Sequence, residues 1–396
     1  MMTAFSFAIV AAIGVLLLVP SVLLFCEVIA SFLPGRAPRL SAFTPRTAVI
    51  VPAHNEESGI AETIASVLRE MSPEDRVLVV ADNCTDNTAS VARAAGAEVI
   101  VREDTERRGK GFALDFALRH LAADPPDVVL IMDADCTAER GALRDLAVAS
   151  HAAQRPLQAD YRLIAPGDAR TPYLLIAGFA WHLKNYIRPL GLQRLNLPCQ
   201  LMGTGMAFPW AVLSEAQLAT GDLVEDLALG LSLARAGHSP RFYPEARVYS
   251  AFPLNAEGQA SQRTRWETGH LNTIVRHIPA LLLEAARTGN GPLFALALDA
   301  AIPPLSFFAL MTGAGVVLAA ATAIATAWLA PFATAMLAAT VFAGAIALAI
   351  WRAPDTIVSF RDLRLVPGYV FSKLSLYRQV AQGRPVAWVR SKRDTE

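Results

Sequence analysis

The stretch DVVLIMDADC, residues 127–136, decides the fold class that the sequence predicts. Its run from Val128 to Met132 is wholly apolar, which is typical of a strand buried on both faces of a sheet. Asp133 and Asp135 follow one residue apart, where that strand would end. Two such carboxylates can hold Mg²⁺ or Mn²⁺, which prefers oxygen ligands and commonly bridges diphosphate oxygens. A solvated acidic turn is the alternative for an isolated pair.

Strand-like runs alternate with helical patterns before this stretch. Ile60, Ile64 and Val67 recur at helical spacing between two of the runs. Strands separated by helices predict a largely parallel α/β sheet, in which ligands bind beyond the carboxyl ends of the strands. The predicted strands are Thr47–Ala53, Arg76–Ala81, Glu98–Val101 and Asp127–Met132.

Polar residues follow the first two predicted strands. After the first strand, Asn55 and Glu56 are ligand candidates, whereas His54 is typical of a local hydrogen bond in a turn. After the second, Asp82 is placed to hydrogen-bond the edge of a nucleotide base. Asp86 is predicted to cap the helix that comes next.

Lys110 lies in the segment Arg107–Gly111, directly before a predicted helix. Backbone amides, the helix dipole and the ammonium group would all face an anion there. The spacing is not that of a P-loop, which needs GxxxxGK followed by Ser or Thr. A phosphate contact and a solvated basic turn therefore both stay open.

Glu225 and Asp226 open an apolar helix that continues through Leu227 and Leu231. Carboxylates in a first turn also stabilise a helix start, which is sufficient to explain either residue alone. The functional interpretation makes Asp226 a general base that takes a proton from an acceptor hydroxyl. One base and one metal suffice for a single in-line displacement, which inverts the configuration of the attacked carbon.

Gln262, Arg265, Trp266 and Gly269 stand on one face of a further predicted helix. An arginine can grip a diphosphate, and a tryptophan offers an apolar face to a sugar ring. An amphipathic helix at a membrane surface also places Trp and Arg together. The position of this segment after the carboxylates favours the ligand-binding interpretation.

Composition narrows the class of protein. The chain has 396 residues, 54% of them hydrophobic, and its 35 basic residues balance 35 acidic ones. Neither nucleic-acid binding nor disorder is favoured by this balance. The four cysteines show no paired metal-ligand spacing and no disulfide density, which fits a reducing compartment.

Three apolar stretches are long enough to cross a membrane, since about 20 residues span ~30 Å of hydrocarbon. A cleaved signal peptide is the alternative for the first stretch, but that stretch lacks a basic start and exceeds the usual ~7–15-residue apolar core. A short uncharged turn around Pro331 joins the last two as a hairpin. The stretches are Phe5–Leu33, Ile302–Trp328 and Phe332–Trp351.

The basic residues predict the orientation. Arg36, Arg39 and Arg46 follow the first stretch, and further basic residues recur from Arg352 to Arg393. The positive-inside tendency then places the middle region and the C-terminal tail in the cytoplasm. We expect a multi-pass protein of the inner (plasma) membrane, with Leu293–Ala301 and the tail lying along the membrane surface.

With these motifs in place, residues from about Thr47 to His270 resemble the family 2 glycosyltransferases with a GT-A fold. The segment QRTRW, residues 262–266, is similar to the Q(Q/R)xRW signature of the membrane-integrated members. Those members include cellulose, chitin and hyaluronan synthases and related lipid glycosyltransferases. The resemblance implies a UDP-sugar donor, a divalent Mg²⁺ or Mn²⁺ cofactor and no nucleic-acid partner.

The resemblance also implies roles for individual residues. Asp82 would contact the uracil, Asp133 and Asp135 would handle the diphosphate and the metal, and Asp226 would be the base. The remaining donor-binding residues would be Pro52, Asn55, Glu56, Lys110, Gln262, Arg263, Arg265 and Trp266, and the acceptor site would be formed by Gly203, Thr204, Gly205, Glu225 and Trp266.

Transfer onto a lipid-linked or membrane-associated acceptor, in exopolysaccharide or glycolipid assembly, is the predicted function. Three spans are fewer than processive synthases of this family usually have, yet an oligomer would allow a polymer conduit, so processive synthesis is the close rival. A non-catalytic membrane scaffold or transporter subunit is the alternative of another class.

The predicted organisation has five parts. They are an N-terminal transmembrane helix (1–40), a GT-A catalytic domain (41–255), a segment with the QxxRW motif and interfacial helices (256–300), a transmembrane hairpin (301–352) and a cytosolic interfacial tail (353–396).

Overall fold

The computed structural model describes residues 4–35, 43–164, 171–219, 224–252, 256–354 and 357–381. A π-helical turn, Leu183–Ile187, joins α6 to α7, and a 3₁₀ turn, Phe360–Leu365, precedes α15. In chain order the elements are α1 (Ala4–Ala30), β1 (Thr47–Ala53), α2 (Ile60–Leu68), β2 (Arg76–Asp82), α3 (Thr88–Ala94), β3 (Glu98–Arg102), α4 (Lys110–Leu121), β4 (Val128–Ile131), β5 (Thr137–Ala138), α5 (Ala142–Ala153), β6 (Leu157–Ile164), α6 (Pro172–His182), α7 (Arg188–Arg194), β7 (Met206–Pro209), α8 (Trp210–Leu213), α9 (Glu225–Arg235), β8 (Arg241–Ala251), α10 (Ala256–Arg276), α11 (Ile278–Thr288), α12 (Gly291–Ala300), α13 (Leu305–Thr326), α14 (Ala330–Arg352), α15 (Val366–Ser372) and α16 (Leu374–Ala381).

Eight strands form one mixed sheet in the order β3-β2-β1-β4-β7-β6-β8-β5. The first four strands of the chain pair in parallel, with β1 between β2 and β4. β7 runs antiparallel to both β4 and β6 and so reverses the sheet direction beside β4. The predicted mainly parallel α/β sheet is confirmed, and all four predicted strands form.

The central strands are buried because helices cover both faces of the sheet. Val49 and Val51 point to one face and pack in the cluster that includes residues of α2 and α5. Ile50 and Leu78 point to the other face and pack with residues of α4. The alternation follows from the two-residue period of a strand, and it explains why these strands are apolar at every position. Their carboxyl ends then carry the polar loops.

Three helices are long and apolar enough to cross a membrane, at Val10–Ala30, Leu305–Thr326 and Ala330–Arg352. They correspond to the three predicted apolar stretches. Pro331 lies in the first turn of α14 rather than in the connecting turn, because a proline fits a helix start without losing a hydrogen bond. α1 packs against α14 and the π-helical turn through a shared apolar cluster, so the first span is joined to the rest of the protein.

A buried ion cluster ties α1, the first candidate span, to α7 and α12. Arg188 Nε donates to Glu27 Oε2 at 2.7 Å, and Arg188 Nη2 binds the side chain of Asp299 and its backbone oxygen at 2.8 Å. Gln200 Nε2 donates to Asp299 Oδ2 at 2.7 Å. The sequence leaves Glu27 and Asp299 as isolated charges in apolar stretches, and the structure gives both the same partner.

α12 packs its inner face against α9 and α11, where Leu293, Leu296 and Ala297 meet Leu227 and Leu231. Contact of its outer face with a membrane surface stays a prediction. The tail also lies against the protein, because Lys373 Nζ binds Glu267 of α10 and Tyr377 Oη donates to Glu267 Oε2 at 2.8 Å.

Candidate active site

The loops after β1 and β2 hold each other in place. His54 Nδ1 lies 2.7 Å from the backbone oxygen of Asp82, which is the local contact expected for this histidine. Asn55, at φ 56°, accepts a hydrogen bond from the backbone nitrogen of Thr85 at 2.7 Å. Asp86 Oδ1 accepts from the backbone nitrogen of Thr88 at 3.0 Å, as predicted for the start of α3. These hydrogen bonds join the two loops at the carboxyl edge of the sheet.

Pro52 lies in β1 in register with Val80 of β2, two residues before the polar loop. The backbone nitrogen of Glu56 donates to Thr88 Oγ1 at 2.7 Å, and the Glu56 side chain is buried. These contacts place Pro52 and Glu56, which are both predicted to bind the sugar donor, at the same sheet edge as Asn55. Their binding roles stay predictions.

Asp82 is fixed by a cation that the sequence motifs did not indicate. Arg102 Nη1 lies 2.7 Å from Asp82 Oδ1, and Asn83 Nδ2 donates to the same oxygen at 3.0 Å. Burial raises the pKa of Asp82 even though the Arg102 charge opposes the shift. Arg102 is the last residue of β3, which pairs in parallel with β2, so neighbouring strands bring the two charges together.

The paired aspartates after β4 form the best candidate for a metal site in the part of the chain that the structure describes. Ligand atoms of Asp133, Asp135 and Cys136 all lie within 4.8 Å of one another. Burial, and then the two neighbouring carboxylates, raise the pKa of Cys136 well above its ordinary value, which favours the neutral thiol. The carboxylate oxygens are left as the donors, and they suit a hard cation such as Mg²⁺ or Mn²⁺.

Lys110 lies at the start of α4 and is not a solvated turn residue. Its Nζ binds Asp133 Oδ1 and donates to the backbone oxygen of Gly203 at 2.7 Å. Burial lowers the pKa of Lys110, but the charges of Asp133 and Glu225 outweigh burial and the net shift is upward. A stable ammonium therefore lies beside the paired aspartates.

Gly203 brings the acids of β4 and α9 close together. A Cβ built on Gly203 would lie 3.4 Å from Asp226 Oδ2, 3.6 Å from Lys110 Nζ and 3.9 Å from Asp133 Oδ2. Gly203 has φ 89°, a backbone conformation that side chains rarely adopt. Thr204 Oγ1 accepts a hydrogen bond from the backbone nitrogen of Asp133 at 3.0 Å. The glycine loop therefore sets the spacing between the predicted base and the predicted metal ligands.

Gly205 is enclosed by protein rather than open to a ligand. A Cβ there would lie 2.9 Å from Val248 Cγ2 and 3.0 Å from Ala159 Cβ. Among the predicted acceptor-site residues, the three of this loop therefore differ: Gly203 lies beside the acids, while Thr204 and Gly205 hold the loop in place.

A cleft of about 620 Å³, hereafter the acid cleft, is lined by Lys110, Gly203, Glu225 and Asp226 among others. Burial first, and then the charge of Asp226, raise the pKa of Glu225 to about 7, while Lys110 and Arg265 oppose the shift. Glu225 and Asp226 begin α9 as predicted, and the backbone nitrogen of Leu227 donates to Asp226 Oδ1 at 2.8 Å.

Trp266 lies on α10 and packs against an aromatic residue that the sequence motifs did not indicate. Its ring centroid is 5.0 Å from that of Trp181, whose Nε1 donates to the backbone oxygen of Tyr161 at 3.0 Å. The side chains of Gln262 and Arg263 lie outside the described residues, so their predicted contacts stay predictions.

A second, larger space lies beside Trp266. It measures about 1010 Å³, hereafter the apolar cavity, and its lining includes Leu24 of α1, Trp181, Lys184, Leu305 of α13 and Tyr369 of α15. Sequence patterns gave no signal for this cavity, because its walls come from segments far apart in the chain.

Comparison with protein families matches residues 45–269 to the family described as glycosyltransferase-like family 2. Two curated relatives align with part of the chain. The probable glycosyltransferase YdaM of Bacillus subtilis is 26% identical over 250 residues, which cover 59% of this chain and 57% of that protein. The 4,4'-diaponeurosporenoate glycosyltransferase of Staphylococcus aureus is 29% identical over 237 residues, 57% of this chain and 60% of that protein. The chain thus matches less than two thirds of the length of these relatives.

Among solved structures, the mannosyltransferase PcManGT from Pyrobaculum calidifontis, in complex with GDP-Man and Mn²⁺, aligns with a TM-score of 0.54 at 20% sequence identity. The alignment covers 87% of this chain and 100% of that one. At this level of identity the likeness concerns the fold alone, and the predicted GT-A fold is confirmed.

Proposed function

Because the chain belongs to glycosyltransferase-like family 2 over residues 45–269, we propose that it transfers a sugar from a UDP-sugar to a lipid-linked or membrane-associated acceptor, with inversion at the anomeric carbon. The single observation that carries this proposal is the position of Asp226 Oδ2 and Asp133 Oδ2, which lie 3.4 Å and 3.9 Å from the same point beside Gly203. A base and a diphosphate site next to each other are what one displacement requires.

The donor site of this proposal lies along the edge where β1, β2 and β4 end. Asp82 contacts the uracil through its carboxylate, which Arg102 and Asn83 hold through Oδ1. Lys110 lies beside Asp133 and supplies positive charge to the diphosphate. The positive charge of Arg265, on α10, acts on Glu225 and opposes the upward shift of its pKa. The predicted donor contacts of Pro52, Asn55, Glu56, Gln262, Arg263 and Trp266 complete the site.

Asp133 and Asp135 would hold the divalent cation, either Mg²⁺ or Mn²⁺. When bound, the cation neutralises the negative charge that builds on the departing nucleoside diphosphate. The Pyrobaculum mannosyltransferase, solved in complex with GDP-Man and Mn²⁺, supports a divalent metal on this fold and adds GDP-mannose to the donors worth testing.

Asp226 takes the proton of the acceptor hydroxyl as the hydroxyl oxygen attacks the anomeric carbon of the sugar. The new carbon–oxygen bond forms while the bond from that carbon to the diphosphate oxygen breaks, and the electron pair leaves with UDP. Attack opposite the leaving group inverts the anomeric centre in one step.

The apolar cavity supports a membrane-associated acceptor. Its lining includes Leu24 and Leu305, which belong to helices of membrane-spanning length, together with Trp266 of the predicted acceptor site. The three candidate spans also pack on one another, with Gly315 of α13 against Leu17 of α1. This close packing favours a single transfer over polymer extension, for which a conduit through the membrane would be needed.

The proposal places the protein in the inner membrane with the catalytic part in the cytoplasm. It retains the five-part organisation set out from the sequence, and it assigns the product to exopolysaccharide or glycolipid synthesis. An oligomer is compatible with it.

The test is release of the nucleoside diphosphate, UDP or GDP, by the detergent-solubilised protein with Mn²⁺ and a panel of UDP-glucose, UDP-N-acetylglucosamine, UDP-galactose and GDP-mannose. Asp226→Asn is expected to lower the rate about 10²- to 10⁴-fold, the range of general base catalysis. Asp115→Asn, in a surface pair with Arg119, is the matched control. An unchanged rate in Asp226→Asn would remove the proposed base and favour a non-catalytic scaffold, and long products in the wild type would favour a processive synthase.

A further inference from the structure

One cation of the apolar cavity has no assigned role in the proposed reaction. The Lys184 ammonium has no hydrogen bond or ion pair with any residue that the structure describes. The other two cations that line the cavity are both engaged, since Arg188 binds Glu27 and Asp299, and Lys373 binds Glu267. Lys184 is therefore the cation available to a ligand in this space.

The surroundings of Lys184 place it inside the cavity rather than on the outer surface. The side chain is accessible to solvent, yet protein surrounds it closely enough for burial to lower its pKa. Both statements hold because the side chain lines the cavity. The charges of Asp226 and Asp299 oppose the effect of burial and support the ammonium form.

The backbone at Lys184 is also unusual. Residues 183–187 form a π-helical turn between α6 and α7. Such turns are rare and frequently occur at functional sites, because the extra residue reorients the side chains of one helix turn. Here the turn includes Leu183 and Lys184, which both line the cavity, and Ile187, which packs towards α1 and α14.

Most of the remaining lining is apolar, and its other ion-pairing groups, Arg188, Lys373 and Glu267, are bound to protein partners. Leu24, Trp181, Trp266 and Leu305 offer hydrocarbon and ring surface on several sides of the same space. One ammonium group with no protein partner among the described residues, beside apolar walls, is complementary to a molecule with one anionic group and a long apolar chain. A neutral lipid would leave the lysine desolvated and without a partner.

We propose that the apolar cavity binds an anionic amphipathic acceptor, with its apolar chain against Trp266 and Leu24 and its phosphate or carboxylate group on Lys184. This inference rests on the proposed function and names the chemical class of its acceptor. Lys184 is thereby a positioning residue that selects the acceptor, distinct from the base Asp226.

Binding can be measured without any sugar transfer. Farnesyl phosphate, farnesoic acid and farnesol share one isoprenoid chain and differ in the head group. Each is titrated against the full-length protein in nanodiscs, with empty nanodiscs as the reference, and the tryptophan fluorescence of the cavity is followed. We expect the wild type to bind at least one of the two anionic compounds more tightly than farnesol. Comparing farnesyl phosphate with farnesoic acid then distinguishes a phosphate head group from a carboxylate head group.

Lys184→Met is expected to weaken binding of the anionic compound about 10- to 100-fold, the range for a hydrogen bond to a charged group, and to leave farnesol unchanged. Lys184→Arg should retain most of the affinity. Ala180→Phe, which fills part of the cavity wall, should weaken all three compounds alike. In transfer assays, Lys184→Met should raise KM for the acceptor while KM for the donor stays the same.

The proposal is overturned if farnesol binds as tightly as both anionic compounds, if no compound binds, or if Lys184→Met leaves the affinity for the anionic compound unchanged. None of these results depends on catalysis. Failure of the proposed function would instead appear as normal UDP release in Asp226→Asn, so the two failures are distinguishable.

Discussion

The acid cleft and the apolar cavity are built in different ways. Around the acid cleft, residues at strand ends and helix starts bind one another, as Lys110 does with Asp133 and Gly203. The walls of the apolar cavity come from membrane-length helices, a π-helical turn and the tail, and include one cation with no partner among the described residues. On the proposed function, the difference indicates that sequence motifs carry the residues for the chemistry of transfer, whereas the packing of distant segments sets the choice of acceptor.

The largest expected effect concerns the ion cluster that holds the cavity wall to the first membrane helix. Arg188→Met leaves Glu27 and Asp299 buried without their cation, and removing one partner of a buried pair costs about 3–5 kcal/mol. We expect a markedly lower thermal unfolding temperature in detergent. The triple variant Glu27→Gln, Arg188→Met, Asp299→Asn should recover most of the loss, and equal losses in both would show that charge is not the reason.

The second effect tests the acid cleft. Asp133→Asn removes a carboxylate from the proposed metal site and the partner of Lys110, and we expect kcat for UDP release to fall about 10²- to 10³-fold. The midpoint of Mn²⁺ activation should rise as well. Asp115→Asn is again the control, and a kcat within a factor of two of wild type would contradict the assignment.

A smaller effect is expected at the glycine that separates the two sets of acids. Gly203→Ala must adopt φ 89°, which costs on the order of 1–3 kcal/mol, and its methyl group would lie 3.4 Å from Asp226 Oδ2. We expect lower stability and a lower transfer rate together. Gly237→Ala, also at positive φ but with open space around it, should lose stability and keep its rate. Equal rates in the two variants would show that spacing at Gly203 is unimportant.

The smallest effect is a dependence of protein stability on pH, caused by Glu225. Burial, then the Asp226 charge, raise its pKa from 4.5 to about 7 in the folded protein. The folded state then binds more protons than the unfolded state between about pH 4.5 and 7, so stability rises as pH falls through that window and is lower at pH 8. We expect Glu225→Gln to raise the unfolding temperature by a few degrees at pH 8 and hardly at pH 5, measured in EDTA. The same change at both pH values would contradict the assigned pKa.

The sequence was sufficient to predict the acids of the acid cleft, but it was not sufficient to predict the apolar cavity. Asp133 and Asp135 follow a predicted strand, so their place followed from the rule that ligands bind at the carboxyl edge of a parallel sheet. Asp226 begins a predicted helix, and its approach to Asp133 depends on the Gly203 loop. Arg188 and Glu27 are 161 positions apart and meet only through tertiary packing. Arg102 was missed as the partner of Asp82 for a related reason, because the register of β3 against β2 decides that contact. Lys184 does not belong to any of the sequence motifs, so it was not predicted.

One glycine determines how the first span meets the soluble part. A Cβ on Gly191 of α7 would lie 1.8 Å from the backbone oxygen of Glu27 in α1. Two backbones therefore touch here, and any larger residue would push the span outward. On the proposed membrane placement, this backbone contact fixes the distance between the catalytic part and the bilayer, and with it the distance that a membrane-embedded substrate has to travel before it can react.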